Sequence, residues 1–178
     1  MKIIWAILLG GLAAGVLDIL YAFVVYGPLS YGVTPEQVLQ SVAAGWIGRD
    51  ASRAGGMETA LLGLGLHFLI ATLMAAAYLL AATRVSVLTG QAVLCGLVYG
   101  LLLYVMMNYI VVPLSAAGAN GHFATLDEIG PRLQAAFSEV QGGGGGTHPW
   151  LLAGTIFAHT VLVGLPIALI AKRFVGQS

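Results

Sequence analysis

Four side chains are polar where their surroundings are not: Asp18, His67, Asn108 and His159 each interrupt a long apolar stretch. A carboxylate beside imidazoles suits proton relay, because burial and mutual attraction can move either group's pKa across the physiological range. Asp18, His67 and His159 also make a two-histidine, one-carboxylate set of the kind a divalent metal accepts. His67 and His159 could alternatively supply the axial ligands of one b-type haem. Gly63 and Gly65 would then make room, and Arg49 or Arg53 would meet the propionates. Asp18 is an awkward neighbour for an apolar porphyrin. Tyr104, one helical turn from Asn108, and Thr155, one turn from His159, complete the candidate set. Each member also has a plainer reading. A lone intramembrane histidine can be a core residue bonded to a backbone carbonyl, and Asn108 can be interhelical glue. Asp18 resists that treatment, because a charge at mid-membrane must be paired or neutralised.

These residues must be held by something, and composition says what. Of 178 residues, 59% are hydrophobic and 8% charged, where a water-soluble domain carries about a quarter charged residues. A soluble globule is excluded. Seven basic and seven acidic residues give no net charge, and no basic tract offers a footprint for nucleic acid. The single cysteine, Cys95, excludes an internal disulfide and a cysteine-rich metal site. Four stretches reach the roughly 20 apolar residues needed to cross a bilayer, at about 3–27, 58–82, 91–113 and 150–171. The expected fold is an all-α membrane protein, four transmembrane helices in an antiparallel bundle forming a single domain. Lys2, the apolar run and Ala13-Ala14-Gly15 imitate a signal peptide, but the run continues to Val25, beyond a typical signal core. It is therefore read as the first span.

Depth brings the polar residues together. Asp18 lies nine residues before Gly27, His67 nine after Glu58, and His159 nine after Trp150. At about 1.5 Å per residue all three sit roughly 13 Å below one boundary, near the midplane. Asn108, five residues before Pro113, is about one turn shallower. Small residues share these faces. Gly11/Gly15 and Gly96/Gly100 form Gly-x3-Gly pairs that allow close helix approach and offer a face for a homo-oligomer.

The charges orient the chain. With the N-terminus inside, Lys2, Arg84, Lys172 and Arg173 are cytoplasmic with no acidic residue, and both termini lie inside. The loops at 28–57 and 114–149 then face out. In the first, Thr34-Pro35-Glu36-Gln37 reads as a capping box. It opens a short amphipathic helix through Leu39, Val42, Ala43, Trp46 and Ile47, lying on the membrane or packed on the bundle's mouth. Arg49, Asp50 and Arg53 read as a solvated or headgroup-facing cluster. In the second loop, Pro131–Val140 forms a further amphipathic helix. Gly142–Gly146 is a flexible tether, since no P-loop lysine or strand accompanies it. His122 and His148 read as solvated side chains. There is no HExxH or GxSxG motif, so hydrolase chemistry has no support.

His67 followed by Tyr78, Gly96 to Gly100 leading into Asn108-x4-Pro113-Leu114, Ile156-Phe157-Ala158-His159 and the closing Lys172-Arg173 resemble the YagU-like family of small bacterial inner-membrane proteins. The likeness covers the last three helices. It implies a bacterial inner-membrane location and a four-helix bundle, and it names no reaction. The family's pattern has a histidine at the position of Asn108, which loosens any carry-over of a metal-ligand set. Two function classes follow. One is an intramembrane site for a proton, metal ion or small polar solute, in transport or sensing, with bis-histidine haem as a variant. The other is an accessory or scaffolding subunit of a larger membrane complex, in contact with lipid, whose polar residues only join helices.

Overall fold

A computed structural model of the chain describes residues 2–118, 121–141 and 150–176. The Gly142–Gly146 run and His148 lie outside the described residues. In chain order the helices are α1 (Lys2–Tyr31), α2 (Pro35–Ile47), α3 (Arg49–Ala54), α4 (Gly56–Ala82), α5 (Val87–Gly90), α6 (Ala92–Leu114), α7 (Ile129–Gln141) and α8 (Trp150–Phe174). No strand occurs among the described residues. Four of these helices, α1, α4, α6 and α8, are long and apolar enough to cross a membrane. The fold is all-α with four membrane-spanning helices.

Three of the spans widen locally into π-helix, at Gly27–Tyr31, Met107–Val111 and Ala158–Gly164. Each stretch contains a proline or precedes one by two residues: Pro28, Pro113 and Pro166. Proline has no N–H for the carbonyl one turn back, and its ring crowds that carbonyl. With no water in the hydrocarbon to take over, a local π adjustment re-satisfies the freed groups. This is why α1 runs on to Tyr31 rather than ending at Gly27.

The chain divides into two compact units. The first comprises Met1–Tyr21, His67–Tyr104 and Leu152–Ser178, so all four spans contribute to it. Its core is built from Ala6, Ala14, Tyr78, Leu79, Leu103 and Ile167, among others. Two close seams hold this bundle. A Cβ placed on Gly96 would come 2.8 Å from the Ala168 Cβ, and one on Gly100 would come 2.5 Å from the Thr160 Cα. On the other side, a Cβ on Gly11 would come 2.6 Å from the Thr72 Cα and one on Gly15 2.7 Å from the Phe68 ring. Dispersion between closely approaching backbones replaces the hydrophobic drive that lipid removes. Both glycine pairs make these close approaches within the chain. Tyr78 and Tyr99 donate their hydroxyls to the carbonyls of Leu88 and Met74 at 2.9 and 2.8 Å, which satisfies both phenols structurally.

The second unit comprises Ala22–Leu66 and Val105–Leu151. In it the capping box forms: the Thr34 hydroxyl accepts from the Gln37 N–H at 3.2 Å, and Gln37 Oε1 accepts from the Thr34 N–H at 2.9 Å. Helix α2 buries Val38, Gln40, Ala43 and Ala44, and its Leu39 carbonyl rests on Gly63 of α4. Hydrogen bonds reinforce the contact. Gln40 donates to the Gly56 carbonyl at 3.0 Å, Ser52 to the Gln40 carbonyl at 2.5 Å, and Thr59 to the Ser52 carbonyl at 2.6 Å. The amphipathic helix is therefore packed on the start of α4, with Trp46 left exposed and edge-on to Phe123 at 5.7 Å. Arg49, Asp50 and Arg53 are exposed on the short α3, an element the sequence reading did not separate. Helix α7 starts at Ile129, two residues before Pro131. Arg132 on it donates to Glu128 Oε2 at 2.7 Å and to the His122 carbonyl at 3.1 Å. His122 is exposed, yet its Nε2 lies 3.7 Å from Glu128 Oε1, so it belongs to this loop clamp.

Candidate functional site

Asp18 on α1, His67 on α4, Tyr104 on α6 and Thr155 and His159 on α8 all fall in the first unit. Asn108 falls in the second unit, half-buried in the π-helical turn of α6.

His67 Nε2 lies 2.9 Å from the Gly15 carbonyl. A carbonyl only accepts, so Nε2 carries the proton and, in the neutral ring, Nδ1 keeps its lone pair. The bond exists because α1 and α4 approach through Gly15, where the Phe68 ring occupies the space a side chain would take. Gly15 is one turn before Asp18, so the bond fixes the imidazole beside the stretch of α1 that carries the carboxylate. His159 is held in a different way. Its Nδ1 lies 2.9 Å from the Thr155 carbonyl, one turn back on the same helix. By the same logic Nδ1 carries the proton and Nε2 keeps the lone pair. The Tyr104 ring meets His159 edge-on at 5.7 Å and 80°, and Gly100 lies against the His159 carbonyl. Tyr104 is buried.

Asp18 is half-buried and shares the first compact unit with His67 and His159. It makes no hydrogen bond or ion pair among the described residues. A carboxylate and two imidazoles, each ring with one nitrogen held by a carbonyl and the other left over, can gain, hold and pass a proton. It can equally hold a small polar molecule that offers donors to the carboxylate and the two ring nitrogens.

The expected metal set is not assembled. Among the described residues no three His, Cys, Asp or Glu side chains come together as ligands for one ion. Depth brought Asp18, His67 and His159 to one level, but the two imidazoles turn to carbonyls on different helices instead of converging on a point. Bis-histidine haem does not fit either. His67 Nε2, the nitrogen that would ligate iron, is engaged by Gly15. Gly63, expected to make room, is closed by the Leu39 carbonyl, and Gly65 faces open space with nothing within 4 Å.

The feature missed from the residue pattern is the π-helix. Asn108 and His159 both lie in π-helical stretches, which are frequent at functional sites because they redirect side chains and leave backbone groups to be satisfied locally. The signal was present in Pro113 and Pro166. Comparison with protein-family models, with curated proteins and with solved structures finds no match, so geometry and charge carry the functional reading.

Proposed function

We propose that this chain is a small polytopic protein of the bacterial inner membrane in which Asp18, His67 and His159 form an intramembrane site for a proton or a small polar solute, serving transport or sensing. The observation that carries the reading is that Asp18, His67 and His159 come from three spans into one compact unit, each imidazole with its tautomer set by a backbone carbonyl. An ionisable residue at mid-membrane costs about 2.5–3.5 kcal/mol to insert, and the Asp18 carboxylate makes no hydrogen bond or ion pair among the described residues. Tyr104 and Thr155 support the site by holding the His159 ring. The likeness of the last three helices to the YagU-like family supports the bacterial inner membrane. The cationic Lys2, Arg84, Lys172 and Arg173 support cytoplasmic termini.

The test uses the full chain. Proton uptake is titrated on detergent-purified protein with an indicator dye. Proton flux is then followed in vesicles holding a trapped pH-sensitive dye under a valinomycin-imposed potential. Asp18→Asn keeps the shape and removes the titrating group. The expected result is loss of one proton's uptake relative to wild type, with any flux falling to the protein-free background. A folded Asp18→Asn protein that takes up and conducts protons as wild type does sinks the reading.

A further inference from the structure

A cavity of about 470 Å³, within the usual range for ligand sites, is lined by Thr89, Gly90, Leu169, Lys172, Arg173 and Gly176. All six belong to the first compact unit, and none belongs to the Asp18 site. The cavity's chemistry is one-sided. Lys172 and Arg173 are exposed, and neither makes an ion pair or hydrogen bond among the described residues. The segments that build it contain no acidic residue, and Arg84 adds a third positive charge nearby in the chain.

The donors of Thr89 and Gly90 are already taken. The Gly90 N–H donates to the Ser86 carbonyl at 2.9 Å, and the Thr89 hydroxyl donates to the same carbonyl at 3.0 Å. A free inorganic anion, which needs donors on several sides, would rely chiefly on the ammonium and the guanidinium. The remaining wall is Leu169, exposed and one turn before Lys172 on the membrane-spanning α8. Two cations without an ion pair among the described residues, beside an exposed leucine, match a ligand with a phosphate at one end and hydrocarbon at the other.

We propose that this cavity binds the phosphate of an anionic glycerophospholipid. The Arg173 fork and the Lys172 ammonium pair with the phosphate oxygens, and an acyl chain runs along Leu169. Cations in a last helical turn also complement the helix dipole. That role needs no lipid, so the two roles separate on binding. The inference does not rest on the Asp18 site.

The experiment is native mass spectrometry of the full chain in detergent, titrated with phosphatidylglycerol or phosphatidylcholine. The variants are Lys172→Gln/Arg173→Gln and, as a control that also removes two exposed cations, Arg49→Gln/Arg53→Gln. Charges near a membrane surface contribute about 1 kcal/mol each, so the cavity variant should bind phosphatidylglycerol roughly thirtyfold more weakly. Phosphatidylcholine binding and the control should not change. Undiminished phosphatidylglycerol binding by the cavity variant overturns the proposal, as does an equal loss in the control, which would mean diffuse attraction. Displacement of the lipid by an equal concentration of inorganic phosphate overturns it in favour of a free anion. If the double variant does not run as one species on size exclusion, Leu169→Gln leaves both cations in place. Weakened phosphatidylglycerol binding then supports the acyl wall, and unchanged binding overturns it.

Discussion

An imidazole inside a membrane can join helices or serve a site, and magnitudes separate the two. Interhelical hydrogen bonds in membranes contribute about 0.6 kcal/mol on average and about 1.7 kcal/mol at most. The bond from His67 to the Gly15 carbonyl at 2.9 Å is of this kind. His67→Leu fills similar space and removes that one bond, so unfolding in mixed micelles should show a loss of about 0.6 kcal/mol. If His67 also serves Asp18, the same variant should change proton uptake far more than it changes stability. A stability loss of several kcal/mol with uptake intact would instead make His67 structural. Asp18, His67 and His159 were legible in the sequence because ionisable residues inside apolar runs are costly and rare. What each ring nitrogen bonds was not legible, since it depends on rotamer and on which carbonyl a neighbouring helix presents. No three-ligand metal group is found among the described residues, and residue counting could not decide this: counting gives depth, and coordination needs direction.

The helices show the same division between local and non-local information. The capping box of α2 was readable because Thr34, Pro35 and Gln37 interact only with one another. The spans were readable from length and apolarity. The π-helical stretches were not, because widening leaves no mark on a continuous apolar run except the proline that provokes it. The glycine pairs were readable as close-packing faces, but not for their partner, since a backbone of the same chain and that of a second copy pose the same steric demand. A paired substitution tests the seam. Gly100→Ala places a methyl 2.5 Å from the Thr160 Cα, and neither backbone can yield without parting α6 from α8. Overpacking of this kind costs about 1–3 kcal/mol, and it moves His159, whose carbonyl lies against Gly100. Gly65→Ala, with nothing within 4 Å, should stay within about 0.5 kcal/mol of wild type. Equal effects of the two in thermal unfolding would mean that the α6–α8 contact is looser than described.

At the scale of the whole molecule the question is which end of the spans meets the cytoplasm, and charge is what decides it. Lys2, Arg84, Lys172 and Arg173 fall on one side with no acidic residue, and Arg49, Arg53 and Arg132 fall on the other. The count is close, but the residues are not equivalent. Arg132 is held by Glu128 at 2.7 Å and by backbone carbonyls, while Arg84, Lys172 and Arg173 make no ion pair among the described residues. Orientation follows lysine and arginine close to span ends, and acidic residues weigh little. Arg84 sits in the short turn between two spans and Lys172 and Arg173 at the end of another, where that rule acts most strongly. The expected outcome is therefore both termini inside. In a Cys95→Ala background, Arg53→Cys should react with a membrane-impermeant maleimide on intact cells, and Arg84→Cys only after permeabilisation. Both side chains are exposed, so a failure to label reports sidedness, not burial. The reverse pattern would place the Lys172–Arg173 cavity away from the leaflet whose anionic lipids give the cytoplasmic surface its negative potential. If both termini lie inside, orientation and the proposed lipid site share one electrostatic cause: cations at the end of α8 that make no ion pair among the described residues.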